Sequence, residues 1–134
     1  MSEQLITPEN LSKELLKNIL DAAFMDTSFD KDGDLVVRDR LNCYVFPSRE
    51  RVQLMALFRF TPDSTEDQRL AAANRINMEY AIIRAMVGKS GALLFTWDIP
   101  VAGGITAKAF VLAVKRFCTI PQQAIAECAS DLVA

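Results

Sequence analysis

Between Tyr80 and Cys118 the spacing of apolar residues changes from every second position to every third or fourth. Ala81, Ile83, Ala85 and Val87 share one side of an extended segment, and Leu93, Phe95, Trp97 and Ile99 share one side of the next, as strand alternation requires. Gly88-Lys89-Ser90-Gly91 separates them as a turn. The parity of that loop decides whether the two apolar sets meet, because a one-residue slip sends a whole set to the opposite face. An even four-residue loop would set Leu93, Phe95 and Trp97 opposite Arg84 and Met86. An odd loop of three residues instead pairs Ala81 with Trp97, Ile83 with Phe95 and Ala85 with Leu93, with Gly91 at positive φ. The odd loop is expected. After Pro100, Gly103-Gly104 breaks the chain, and Thr106 caps a helix whose stripe of Phe110, Val111, Val114, Phe117 and Cys118 fits the Trp97 face. This unit reads as the core.

The preceding chain supplies further elements. Thr7-Pro8-Glu9 has the form of a helix start, with Leu11, Leu15, Leu16, Ile19, Leu20 and Ala23 as the buried stripe and an end near Phe24. Asp26 to Asp34 is an acidic loop with room for a short strand. Leu35 to Arg38, Leu41 to Phe46 and Arg51 to Phe60 read as an antiparallel meander turning at Asp39-Arg40 and at Pro47 to Glu50. The last of these alternates: Val52, Leu54, Ala56, Phe58 and Phe60 face one way, and Arg51, Gln53, Met55, Leu57 and Arg59 the other. Thr61-Pro62-Asp63-Ser64 introduces a second helix over Thr65 to Met78. Pro121 removes a helical hydrogen bond, so the last helix kinks or restarts there, and Ile125, Cys128, Ala129 and Leu132 dock the tail. The expected domain is α+β: one unit over residues 1–134 in the order α-βββ-α-ββ-α, with a five-stranded, mainly antiparallel sheet and flanking helices.

Composition narrows the chemistry. With 134 residues the chain has the length of one domain, and 51% apolar against 24% charged residues is ordinary for a folded one. The longest strictly apolar run, Ala109 to Val114, is far short of a membrane span, and the polar, acidic start is unlike a secretory leader, so a cytoplasmic protein is expected. There is no histidine. That removes histidine-based nucleophile arrangements, histidine-ligated zinc and the commonest general base near neutral pH. Asp98 is the only acid inside a strongly apolar run and reads as an edge or turn residue. Cys43, Cys118 and Cys128 are odd in number and lack Cys-x-x-Cys spacing, as expected of reduced structural thiols. Net charge is −2, but residues 1–34 are acidic and residues 35–60 carry five arginines, a segregation that internal pairing accounts for.

Three motifs come close to known chemistry without matching it. A calcium loop starting at Ser28 would place Asp30, Asp32 and Gly33 correctly, but it has serine at position 1 and the short Asp39 at position 12. It reads as a solvated turn into a strand. Gly88-Lys89-Ser90 resembles the end of a phosphate-binding loop, yet Ile83 stands where the motif needs glycine and a strand follows where it needs a helix. Gly103-Gly104 before a helix is a turn. The arginines at 38, 40, 49, 51 and 59, with Tyr44 and Phe46, are somewhat like a nucleic-acid-binding sheet, but an overall pI near 5.1 argues against nucleic acid. No catalytic residue, metal site or cofactor is expected.

The run Asn74-Arg75-Ile76-Asn77, the two strands after it, Pro100 with Gly104-Ile105-Thr106, Phe110, and the Asp-x-Asp-Gly-Asp turn at Asp30 to Asp34 together resemble the YbjN family. Members are described as bacterial sensory transduction regulators, with a fold similar to type III secretion chaperones. The resemblance covers about residues 11–125 and implies an α-βββ-α-ββ-α domain, frequently dimeric, without established enzymatic activity. From it and from the mixed strand faces comes the expected function: a non-enzymatic, cytoplasmic protein-binding regulator or chaperone-like adaptor, acting as a homodimer on another polypeptide. The expected partner or dimer surface comprises Met55, Leu57, Arg59, Asn74, Asn77, Tyr80, Ile82, Arg84 and Met86, joined by Leu94. Two questions stay open at this level. The second helix could cover that face, and the asparagine amides could simply satisfy backbone groups where helix meets strand. The alternative function is a small-molecule sensor with a pocket between the C-terminal helix and the Trp97 face.

Overall fold

The computed structural model describes residues 4–134. Two strands and a helix open the chain: β1 (Leu5–Ile6), α1 (Lys13–Ala22) and β2 (Asp26–Phe29). There follow β3 (Leu35–Asp39), β4 (Leu41–Ser48), β5 (Arg51–Phe58), α2 (Glu66–Glu79), β6 (Arg84–Val87), β7 (Leu93–Pro100), β8 (Ile105–Thr106), α3 (Ala107–Phe117) and α4 (Ile120–Cys128). One sheet has six strands in the order β2-β3-β4-β5-β7-β6 with every neighbouring pair antiparallel, and β1 pairs with β8 in a separate ribbon. The α+β class stands, but the sheet has six strands rather than five. The additional one is β2, held by β3 from Asp26 opposite Arg38 to Phe29 opposite Leu35.

Local chemistry places the helix ends. Ser12, not Thr7, caps α1, accepting from the Leu15 N–H at 3.0 Å. Thr7 and Asn10 satisfy each other instead: the Thr7 N–H donates to Asn10 Oδ1 at 2.8 Å, and the Asn10 amide donates to the Leu5 carbonyl at 2.9 Å. This ties the turn to β1 and delays the helix. At α2, Thr65 and Gln68 form a reciprocal capping box. Thr106 caps α3 through the Ala109 N–H at 3.0 Å, and Pro121 sits in the first turn of α4, so the chain restarts there. The tail docks, with Thr61 N–H donating to the Leu132 carbonyl at 2.7 Å and Ala134 N–H to the Arg59 carbonyl at 2.9 Å.

The β6–β7 hairpin has the expected odd parity. Gly88 N–H donates to the Ala92 carbonyl at 2.9 Å and Gly91 stands at φ 85°, so Lys89-Ser90-Gly91 is the loop. Its centre lies one residue later than expected. Ala85 therefore faces Phe95, and Val87 faces Leu93. The shift is a full two-residue pleat, which moves the partners but keeps every side chain on its face. The first strand is shorter than expected, because Tyr80 closes α2 and Ile83 enters the core just before the pairing begins.

The residues that the six-stranded sheet gives to the core come from one face: Leu35, Val37, Cys43, Val45, Val52, Leu54, Ala56, Ala85, Leu93, Phe95 and Ile99, with Ile6 of β1 added from the ribbon. Against them pack Leu16, Ile19 and Leu20 of α1, Phe110, Val114 and Phe117 of α3, and Ala124 of α4. Phe95, Phe110, Val114 and Phe117 are fully buried and fill the space between the last helices and the Trp97 side of β7. The helix α2 lies beside β6 and α4, contributing Ala73 and Ile76 to the same core.

Candidate functional site: the open face of the sheet

Among the described residues the connected core cluster holds none of the opposite-face side chains, although Val36 (5% exposed) and Thr96 are themselves buried. Register puts Val36, Tyr44, Met55, Thr96 and Arg84 in one row across five strands, and Leu57, Leu94 and Met86 in the next. Phe46, Gln53 and Asp98 make the row on the other side. None of these side chains joins or packs against the core cluster among the described residues. Leu57 is 49% exposed, Met55, Met86 and Leu94 are half-buried, and the Tyr44 and Phe46 rings stack with centroids 6.2 Å apart. The mixed face of β5 is thus left open, and α2 does not cover it.

The reason lies in α2 itself. Its buried residues are Ala72, Ala73 and Ile76, a narrow stripe that seats beside a single strand. Asn77 fixes that seat: its Oδ1 accepts from the Ala85 N–H at 2.7 Å and its Nδ2 donates to the Ala85 carbonyl at 2.9 Å. The amide closes the outer edge of β6, where unpaired backbone groups would otherwise offer a docking strand. Asn77 is therefore an amide that satisfies backbone groups where helix meets strand. Asn74 is not; it is exposed and reaches only the Met78 sulfur at 3.7 Å.

Of the expected surface residues, the structure brings together Met55, Leu57, Arg84 and Met86 on three adjacent strands, with Leu94 between them. Ile82 borders this face beside Arg84. Arg59 lies one residue beyond the end of β5 and is exposed. Tyr80 is on the helical side of the domain, its hydroxyl donating to the Glu127 carboxylate of α4. That carboxylate, together with burial, pushes the Tyr80 phenol up to about 12.

Two residues of this face were not singled out from the sequence: Thr96, and Asp98 in its role here. Asp98 is no edge residue. It lies on β7, an interior strand between β5 and β6. Its Oδ2 takes Arg51 Nη1 at 3.6 Å and Arg84 Nη2 at 3.9 Å, both loose, half-exposed ion pairs of small energetic value. Among the described residues its Oδ1 has no hydrogen-bond partner, and neither has the hydroxyl of Thr96, which is only 4% exposed. Alternation alone places both residues beside Leu94, so the period-2 pattern of β7 would have found them.

The other candidate chemistries resolve into structure. The Asp30, Asp32 and Asp34 carboxylates gather within 4.8 Å. Asp30 Oδ1 accepts from the N–H groups of Asp32 at 3.0 Å and Asp34 at 2.9 Å, and Gly33 takes φ 83°, which makes the cluster the β2–β3 turn. Cys43 and Cys118 are fully buried, and the neighbouring Cys118 thiol and burial push Cys43 up. Cys128 is pushed up by burial and by its bond to Glu79. Neither environment activates a thiolate. No described helix is long and apolar enough to cross a membrane.

Comparison with known proteins agrees with this architecture. No curated protein matches the chain significantly. The crystal structure of YbjN from E. coli, described as "a putative transcription regulator", superposes with a TM-score of 0.81 over 98% of this chain and 99% of that one. The identity is 16%, so this likeness concerns the fold. The model of the YbjN family, "putative bacterial sensory transduction regulator", matches residues 12–130. With nearly its whole length matched, the chain belongs to the YbjN family.

Proposed function

We propose that this protein is a non-enzymatic regulator or chaperone-like adaptor that binds another polypeptide through the open face of its six-stranded sheet, working as a cytoplasmic homodimer. The observation that carries the reading is that, among the described residues, the core-packing helices all lie on the other face. Met55, Leu57, Met86 and Leu94 form a flexible apolar patch, Tyr44 and Phe46 extend it, and Arg51 and Arg84 flank it. Methionine and aromatic residues with arginine at the margin are the side chains enriched where proteins meet adaptable partners. The family description supports regulation, and dimerisation with capture of a polypeptide segment is what the resemblance of this fold to secretion chaperones implies. The E. coli neighbour's description invokes transcription. With a net charge of −2 here, we read any such role as acting through a protein rather than through DNA phosphates.

The test is capture from native lysate by the wild-type chain and by an Arg84→Glu, Met86→Glu variant. Both residues point away from the core, so the variant should fold as the wild type does and lose its co-purifying polypeptide. A folded variant that retains every partner ends this reading.

A further inference from the structure

We propose that the open face ends in a pocket for a carboxylate carried by the bound polypeptide; this rests on the protein-binding reading above. A cavity of about 540 Å³ lies where the end of β5 meets α2 and the β6–β7 loop, lined by Leu57, Phe58, Arg59, Arg69, Ser90 and Ala92 among others. It adjoins the open face through Leu57, which stands in one row with Leu94 and Met86. Among the described residues, neither arginine of this cavity forms an ion pair. Two cations on one cavity without a counter-ion call for an anion.

Arg69 is fixed in place by neutral groups. Its Nε donates to Ser64 Oγ at 2.8 Å, its Nη2 to the Thr61 carbonyl at 3.3 Å and its Nη1 to the Gly91 carbonyl at 3.5 Å. The guanidinium also lies 5.2 Å from the centre of the Phe60 ring. These bonds engage three of its five N–H groups, so two donors and the whole positive charge are left over. Because the side chain is half-buried and already ordered, binding an anion costs it little further freedom. Arg59 is exposed and adds a second cation at the rim. The loop selects the kind of anion. Backbone N–H groups that could cradle a phosphate are spent, Gly88 on the Ala92 carbonyl and Gly91 on the Gly88 carbonyl, both at 2.9 Å. What remains is the forked guanidinium groups and the Ser90 hydroxyl, which suit the two oxygens of a carboxylate, and apolar walls at Leu57, Phe58 and Ala92 for its carbon stem.

The test uses the full chain with leucine and alanine methyl labels. It is titrated with N-acetyl-leucyl-glutamyl-leucine N-methylamide, whose carboxylate is internal, with its uncharged glutaminyl counterpart, with N-acetyl-trileucine, whose carboxylate is terminal, and with N-acetyl-leucine. At least one of the two carboxylate peptides should shift the Leu57 and Ala92 methyl signals and bind roughly tenfold more tightly than the glutaminyl peptide, as charge-assisted hydrogen bonds do. The tighter of the two identifies the group as an acidic side chain or a chain end. Arg59→Gln removes an exposed charge without breaking an ion pair, so it should keep the melting temperature and lose most of the preference. Neither carboxylate peptide binding more tightly than the glutaminyl one, no shift at Leu57 and Ala92, or an undiminished preference in Arg59→Gln overturns the pocket. N-acetyl-leucine binding as tightly as the peptides does the same, because the cavity would then serve a free organic acid. If the Arg84→Glu, Met86→Glu variant still loses its polypeptide in any of these cases, only the carboxylate pocket falls.

Discussion

Replacing Asn77 with alanine should loosen α2 from the sheet at a cost that can be worked from its contacts. The amide makes two hydrogen bonds to the Ala85 backbone, at 2.7 and 2.9 Å, both partly buried. Each bond contributes about 1 kcal/mol net, and removing the amide also leaves the Ala85 N–H and C=O unpaired beside a helix that restricts water. A total of roughly 2–3 kcal/mol follows, equivalent to a fall of about 6–12 °C in melting temperature for a chain of this size. Chemical denaturation with Trp97 fluorescence gives the free energy, and amide hydrogen exchange localises it. Ala85 should exchange much faster in the variant while Leu54 and Phe95 keep their protection relative to global stability. Asn77→Asp separates the two bonds, since a carboxylate still accepts from the Ala85 N–H but faces the Ala85 carbonyl with no donor; it should be at least as unstable near neutral pH. A change below about 0.5 kcal/mol in Asn77→Ala, or an Ala85 amide that exchanges as in the wild type, would refute the argument that this side chain closes the sheet edge.

The two sheet faces should answer substitution differently: Leu54→Ala, on the buried face, should cost about 2–5 kcal/mol in urea denaturation, and Leu57→Ala, three residues along on the open face, less than about 1 kcal/mol. Tyr80 should ionise near 12 in an absorbance titration of the folded chain, and Glu127→Gln should bring it back toward its usual 10.0. Because this pKa is higher folded than unfolded, the stability it contributes is complete below pH 10.0 and is lost as pH rises through about 12. Cys43 and Cys118, fully buried, should resist a thiol reagent until the chain unfolds, while Cys128, partly exposed with a raised pKa, should react slowly in the native state, as mass spectrometry of the labelled chain would show.

Periodicity was a good guide wherever an element buries one face. The alternation of β5 and β7 and the stripe of α3 placed Leu54, Phe95, Phe110 and Phe117 in the core. It also fixed the parity of the β6–β7 loop, because only an odd loop brings Ala85 and Phe95 to one side. It could not fix the pleat. That depends on the Gly88–Ala92 bond and the left-handed backbone of Gly91, which choose between two registers with identical faces. Thr7-Pro8 starts only a single turn: the Thr7 hydroxyl accepts from the Asn10 N–H as a cap would, but the Asn10 side chain bonds back to the Thr7 N–H and the Leu5 carbonyl, and α1 starts afresh at Ser12. β1 and β8 are two residues each, too short to show a period. The bends at Phe24, Arg40 and Arg49 were legible from the pattern, but their positive φ was not, since sequence rules look for glycine or asparagine there. For the site, Met55, Leu57, Arg84 and Met86 were legible from alternation alone. Whether α2 covered them was not, since an alanine-rich helix with a narrow apolar stripe fits a sheet face or a strand edge equally well. The Asn77 bonds decide it.

The most direct test of the open face as a polypeptide-binding surface is light scattering, with mass spectrometry of the eluted species, on wild-type and Arg84→Glu, Met86→Glu protein drawn gently from native lysate. The account predicts a wild-type dimer carrying a co-purifying polypeptide, and a variant with the same melting temperature that has lost it. A wild-type chain that elutes as a bare monomer at every concentration, or a folded variant that keeps all its partners, would contradict it.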